Sequence, residues 1–233
     1  NTLAGNGSAI TLSLLIFTGL PADVANATNR IGALVQTITA VFSLKKTART
    51  KLLLRDSSWF VIPGVLGSIL GAFIAVEVDP QLLKSIIGLV MLILLITLIT
   101  NPKKWTKPTD RSKGSKTLLN WLLIFAIGVY GGFLQMGIGI MLLSVLVLLM
   151  KYSLRDANIV KLLIAFLLVL PAFVVFLFSN SIVWASGATL AVGQGVGAFI
   201  GARYILFLPK ANLIIRWVLI IILSVSSVLL LEI

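Results

Sequence analysis

The chain has no cysteine and no histidine, and only 7 of its 233 residues are acidic. Without cysteine there is no disulfide and no thiol nucleophile, and without either residue the usual zinc ligands are missing. The scarcity of carboxylates, with no imidazole to act as a base, closes most routes to enzymatic work. No Walker-type phosphate loop is present, so an ATP-driven pump would need another subunit. Neither a cofactor nor a metal site is expected. Charged residues make up 11% of the chain, against about 25% in soluble domains.

What takes their place is apolar. Hydrophobic residues make up 59% and the mean hydropathy is +1.11, so the solvent is mostly lipid. The length allows about eight spans of roughly 20 residues with short connections, and leaves none for a soluble domain. The net charge of +12 could suggest nucleic acid, but 11 of the 19 basic residues fall within Lys45–Arg55 and Lys103–Lys116, between apolar runs. That placement signals topology, and no nucleic-acid partner is expected. The chain begins at Asn1 inside an apolar stretch, and no targeting signal can be read from it.

Eight apolar segments are expected, at about 3–20, 24–44, 58–78, 82–100, 118–150, 159–179, 182–207 and 211–231. Gly19-Leu20-Pro21, Asp79-Pro80, Asn180-Ser181 and Leu208-Pro209 mark turns between them. Sliding the chain by 132 residues places Gly5 and Gly7 on Gly137 and Gly139, and Ala25-Asn26 on Ala157-Asn158. A shift of 126 places Gly71-Ala72-Phe73-Ile74 on Gly197-Ala198-Phe199-Ile200. Two transmembrane repeats are therefore read, 1–101 and 117–233, joined by a basic linker at 102–116. The first is expected to lack its opening dozen or so residues.

Segment 118–150 is too long for one span: as a continuous helix it would reach about 50 Å, beyond a hydrocarbon core of about 30 Å. Gly128, Gly131, Gly132, Gly137 and Gly139 cluster in it, and Gly5-Asn6-Gly7-Ser8 is its counterpart. Each repeat is thus expected to open with a Gly-rich broken or re-entrant helix. The basic loops 45–57 and 101–117 read as cytoplasmic in a cell (inner) membrane. If 118–150 dips in and returns, Lys151, Arg155, Arg203 and Lys210 also face inward, and each repeat has an odd number of crossings. Inverted repeats are then favoured over parallel ones, as in transporters with a midplane site. The expected fold is an all-α integral membrane protein built this way.

Arg30 and Lys161 enter the membrane at nearly equivalent places in the two repeats. Such cations face a cavity, a partner or a ligand, or snorkel to the interface; both readings stay open. A half-helix N-terminus offers unpaired N–H groups to an anion. The two breaks supply Asn6, Gly7, Ser8 and Thr11 in one repeat and Gln135, Gly137 and Gly139 in the other. Thr28, Asn29 and Asn158 accompany the two cations, and Gln194 is the odd polar residue in the second repeat's Gly-rich helix. Gly64, Gly67, Gly71, Gly193, Gly197 and Gly201, spaced three or four apart, read as close-packing positions. Asp23 and Asp156 are the acids nearest the proposed pathway.

The run Ala4-Gly5-Asn6-Gly7-Ser8-Ala9-Ile10-Thr11, followed by Gly19-Leu20-Pro21 and Val24-Ala25-Asn26-Ala27-Thr28-Asn29-Arg30-Ile31, resembles the sulfite exporter family of the TauE/SafE type, also called the toluene sulfonate uptake permease family. The likeness spans the whole chain. It implies ion-coupled transport, often export, of sulfite, sulfonates or related small sulfur oxyanions. The second half departs from the family pattern at 132–139 and at Ile159-Val160-Lys161, where Thr-Asn is lost, so asymmetric half-sites are expected.

The function expected is secondary transport of a small anionic substrate across a lipid bilayer by alternating access, with a coupling proton or cation as a further partner. An anion-selective channel would share these glycines and cations but conduct without coupling, and a scaffold bundle would tolerate loss of both cations.

Overall fold

The computed structural model describes residues 7–44, 47–100, 117–203 and 211–231. Within them the chain is helical and no strand occurs. In order, the helices are α1 (Gly7–Phe17), α2 (Ala22–Phe42), α3 (Ala48–Ser57), α4 (Val61–Glu77), α5 (Pro80–Thr100), α6 (Leu118–Phe133), α7 (Ile138–Ser144), α8 (Leu154–Phe178), α9 (Trp184–Arg203) and α10 (Ala211–Leu231). A 3-10 turn at Ser58–Phe60 joins α3 to α4, and a π-turn at Val145–Leu149 continues α7. Three described helices, Ala48–Glu77, Pro80–Thr97 and Asp156–Phe178, are long and apolar enough to cross a membrane.

Local chemistry fixes the ends. Thr47, Thr117 and Ser153 each accept a hydrogen bond from the backbone N–H three residues on, capping α3, α6 and α8. Asp79 does the same for Gln81 and Leu82 ahead of Pro80, whose missing N–H suits a first helical position. Gly19, with φ +92°, makes the turn before Pro21 and α2. Two elements differ from the sequence expectation. The basic stretch after α2 forms its own helix, α3, and α8 begins at Leu154 rather than near 159, which carries Asp156 and Asn158 into the helix.

The long segment 118–150 is interrupted at 134–137, inside the glycine cluster. Gln135 and Gly137 both take left-handed φ values, 64° and 68°. Tyr130 Oη donates to the Met136 carbonyl at 2.5 Å, tying the bend to the helix before it.

Glycine sets the closest packing. A Cβ at Gly67 or Gly71 would overlap the backbone of α6 at Phe125 and Val129, and one at Gly128 or Gly132 would overlap the α4 carbonyls of Gly64 and Ser68. The backbones of α4 and α6 therefore touch. Gly64 meets Gly128, Ser68 meets Gly132 and Gly71 meets Phe133, so the two helices run in the same direction. Helix α8 runs that way too: Leu168 lies against Gly64 and accepts from Ser68 Oγ, and Ala172 and Phe176 pack with Ala72 and Ala75. The stretch between α6 and α8 thus brings the chain back to the end at which α6 began, where Met150 and Tyr152 pack with Leu53 and Phe60. Helices α2 and α9 form another parallel pair, with Thr28 beside Val183, Ile31 beside Gly187 and Val35 beside Gly195.

Gly193 and Gly197 correct the packing expectation for the second half. A Cβ at either would meet nothing among the described residues within 4 Å. Their helix uses Gly187 and Gly195 instead, to admit Ile31 and Val35 of α2.

Candidate functional site

Helix α6 ends without a helix directly continuing it, so its last carbonyls lack helical partners. Side chains of α2 supply them. Arg30 donates through Nη1 to the Gly131 carbonyl and through Nη2 to the Gly132 carbonyl, both at 2.7 Å, and Asn26 Nδ2 donates to Phe133 at 2.8 Å. A guanidinium at the negative end of a helix is also well placed electrostatically. Its carbon lies 4.9 Å from the centre of the Phe176 ring, a cation–π contact that offsets part of the cost of burial. Arg30 has 0% of its surface exposed. Of the two readings the sequence left open for Arg30, the side chain lies inside the protein at the broken helix. Asn26, four residues before it on the same face, belongs to this group but was not singled out; the i, i+4 spacing of Asn26 and Arg30 carried that signal.

One residue away, Asn29 gathers side chains from two other helices. Its Oδ1 accepts from Thr11 Oγ1 of α1 at 2.6 Å and from Gln194 Nε2 of α9 at 3.5 Å. Gly32, one turn further along α2, has no Cβ to displace the Gln194 amide, which a methyl group there would meet closely. Four buried polar atoms have no hydrogen-bond partner among the described residues: Asn29 Nδ2, Arg30 Nε, Gln135 Oε1 and Gln194 Oε1. Buried polar groups are normally satisfied, so orphans on the adjacent residues Asn29 and Arg30 stand out.

The remaining expected site residues take the following places. Gly7 and Ser8 open α1, where their carbonyls lie 3.4 and 3.3 Å from Thr11 Oγ1, and Ser8 is buried. Thr28 is buried and accepts from the Val183 N–H at 3.0 Å, just ahead of α9. Gln135, Gly137 and Gly139 are buried at the break and the start of α7. Lys161 is buried on α8 and donates to Asn158 Oδ1 at 2.9 Å, one turn away. Asn6 and the 102–116 linker lie outside the described residues. Thr11, Asn29 and Gln194 are brought together directly, and Arg30 joins them through its neighbour in α2; Lys161 and Asn158 pair with each other on α8. Asp23 keeps one buried oxygen without a partner among the described residues, whereas Asp156 is paired with Arg49.

Comparison with known proteins agrees over the full length. The sequence pattern of the family described as Sulfite exporter TauE/SafE matches residues 1–230. The chain is 30% identical over 219 residues to a "Probable membrane transporter protein" of Haemophilus influenzae, covering 93% of this chain and 83% of that one. It is 27% identical to "Probable membrane transporter protein ORF9" of Sinorhizobium sp, covering 95% and 83%. To "Probable membrane transporter protein YfcA" of Escherichia coli K12 it is 26% identical, covering 97% and 82%. No solved structure matches the chain.

Proposed function

The chain belongs to the sulfite exporter TauE/SafE family and is a membrane transporter, not an enzyme; on that premise we propose that it is a secondary transporter exporting small sulfur-containing anions, such as sulfite or organosulfonates, by alternating access. The observation that carries this is the pair of buried donors without partners, Asn29 Nδ2 and Arg30 Nε, on consecutive residues beside a broken helix. A small anion accepts from both, and the Arg30 charge compensates its own. Thr11, Thr28, Gln135, Gln194 and the glycines at 7, 137 and 139 shape the surroundings, Asn6 and Ser8 add to them beside the first break, and Asn158 and Lys161 contribute from α8.

The alternating units are the repeats 1–101 and 117–233, joined by the linker 102–116. Under the 132-residue shift, Ala22, where α2 begins, falls on Leu154, where α8 begins. Helix α2 starts beside the end of α6, through Asn26 and Phe133, whereas α8 starts beside α3. Equivalent helices with opposite directions support inverted repeats. The return of the chain between α6 and α8 supports a re-entrant hairpin for 118–150, leaving eight membrane segments in all. Loops 45–57 and 101–117 then face the cytoplasm of a cell whose inner membrane holds the protein.

The test is uptake of labelled sulfite, sulfoacetate, taurine, sulfate and chloride into proteoliposomes, with and without a proton gradient. Saturable movement of one sulfur oxyanion, lost in Arg30→Gln, is the expected result. Unsaturable chloride flow would instead establish a channel.

A further inference from the structure

Asn29 and Gln194 are both primary amides, and each has one donor end and one acceptor end. They meet end to end, with Gln194 Nε2 directed at Asn29 Oδ1, and their free ends are buried without partners among the described residues. Those free ends are Asn29 Nδ2, a donor, and Gln194 Oε1, an acceptor. The complement does not depend on which way the amides are drawn. If both are turned over together, the free ends become an acceptor on Asn29 and a donor on Gln194, so one of each always remains. Thr11 Oγ1 serves either orientation, since a hydroxyl donates or accepts.

We infer that this amide pair selects an oxyanion that still carries a proton, one whose oxygen accepts from the free N–H while its O–H donates to the free carbonyl. The inference rests on the anion-transport reading above and narrows its substrate class. Hydrogensulfite has both functions, whereas sulfate and alkylsulfonates offer only acceptors near neutral pH and would set a lone pair against a buried carbonyl. Leaving that carbonyl without a donor costs such ligands about tenfold or more in affinity. Gly32 suits this role, since it provides the room that lets Gln194 lie against α2.

The experiment is competition against labelled sulfite uptake by the full chain in proteoliposomes at a pH where sulfite is partly protonated, using hydrogenselenite, methanesulfonate and sulfate as competitors. Hydrogenselenite is expected to compete at least about tenfold better than methanesulfonate or sulfate. In Gln194→Leu, which removes one half of the donor–acceptor complement, that gap is expected to close to within about threefold. Equal competition by methanesulfonate in the unmodified protein would overturn the inference and leave sulfur-anion transport standing. A gap that persists in an active Gln194→Leu protein would overturn it as well. Absence of saturable uptake of any probe would overturn the transport reading on which it rests.

Discussion

Arg49 and Asp156 form a two-pronged ion pair between the halves of the chain: Nε reaches Oδ1 at 2.9 Å and Nη2 reaches Oδ2 at 2.5 Å. The guanidinium side is 70% exposed and the carboxylate 2%. Water can therefore reach one partner while the other stays inside, and the contact opens from the Arg49 side. Because α3 belongs to the first half and α8 to the second, the bridge must break if that end of the molecule opens.

Arg49→Gln is expected to loosen that end. The chain has no cysteine, so a single Ser153→Cys substitution beside Asp156 reports access without background. Labelling of the introduced thiol by an impermeant maleimide should be several-fold faster when Arg49→Gln is added than when Arg49 is kept. Equal rates would show that the pair does not hold that end shut.

Arg30→Lys keeps a charge but loses the planar fork that serves two carbonyls, so it should behave more like Arg30→Gln than like the unmodified protein. Leaving either the Gly131 or the Gly132 carbonyl unsatisfied costs about 1–3 kcal/mol. Asn26→Ala should cost about 1 kcal/mol through the Phe133 carbonyl. Thermal unfolding in detergent should show the double variant to be non-additive, since both residues hold one helix end.

The glycines give a contrast within one residue type. Gly71→Ala and Gly132→Ala force α4 from α6 and should destabilise by about 1–3 kcal/mol. Gly193→Ala and Gly197→Ala meet nothing among the described residues and should be neutral or stabilise by up to about 1 kcal/mol from helix propensity. Equal unfolding temperatures for Gly71→Ala and Gly197→Ala would contradict the packing described.

At the bend, Gln135 adopts φ 64° without being glycine. Gln135→Gly should remove about 1 kcal/mol of backbone strain while taking away a polar group beside the site. Higher stability with reduced sulfite uptake is the expected combination. Unchanged uptake would exclude the side chain from the pathway.

Much of this arrangement was legible in the residues, because glycine and charge carry their meaning locally. The interruption at 134–137 falls inside the glycine cluster. Thr11, Asn29 and Gln194 were identifiable as polar residues with no apolar reason to be there. The partners of Arg30 were not legible, since they are backbone carbonyls 101 and 102 residues away and every residue has one. Nor was the partner of Asp156 legible, since Arg49 lies 107 residues away and is brought to it by α3. Gly193 and Gly197 shared the spacing of Gly67 and Gly71, but spacing cannot say whether a neighbouring helix is present.

The seam where α4 and α6 touch has a mechanical consequence. Bare backbone pressed against backbone can swivel, but parting it would open a gap that no side chain is there to fill. Since one helix comes from each half, the seam would serve as the axle of any rocking motion, and displacement would grow with the lever arm from it. The residues nearest that line, Ser68 and Gly132, would barely move. The widest travel would fall to pairs at the rim.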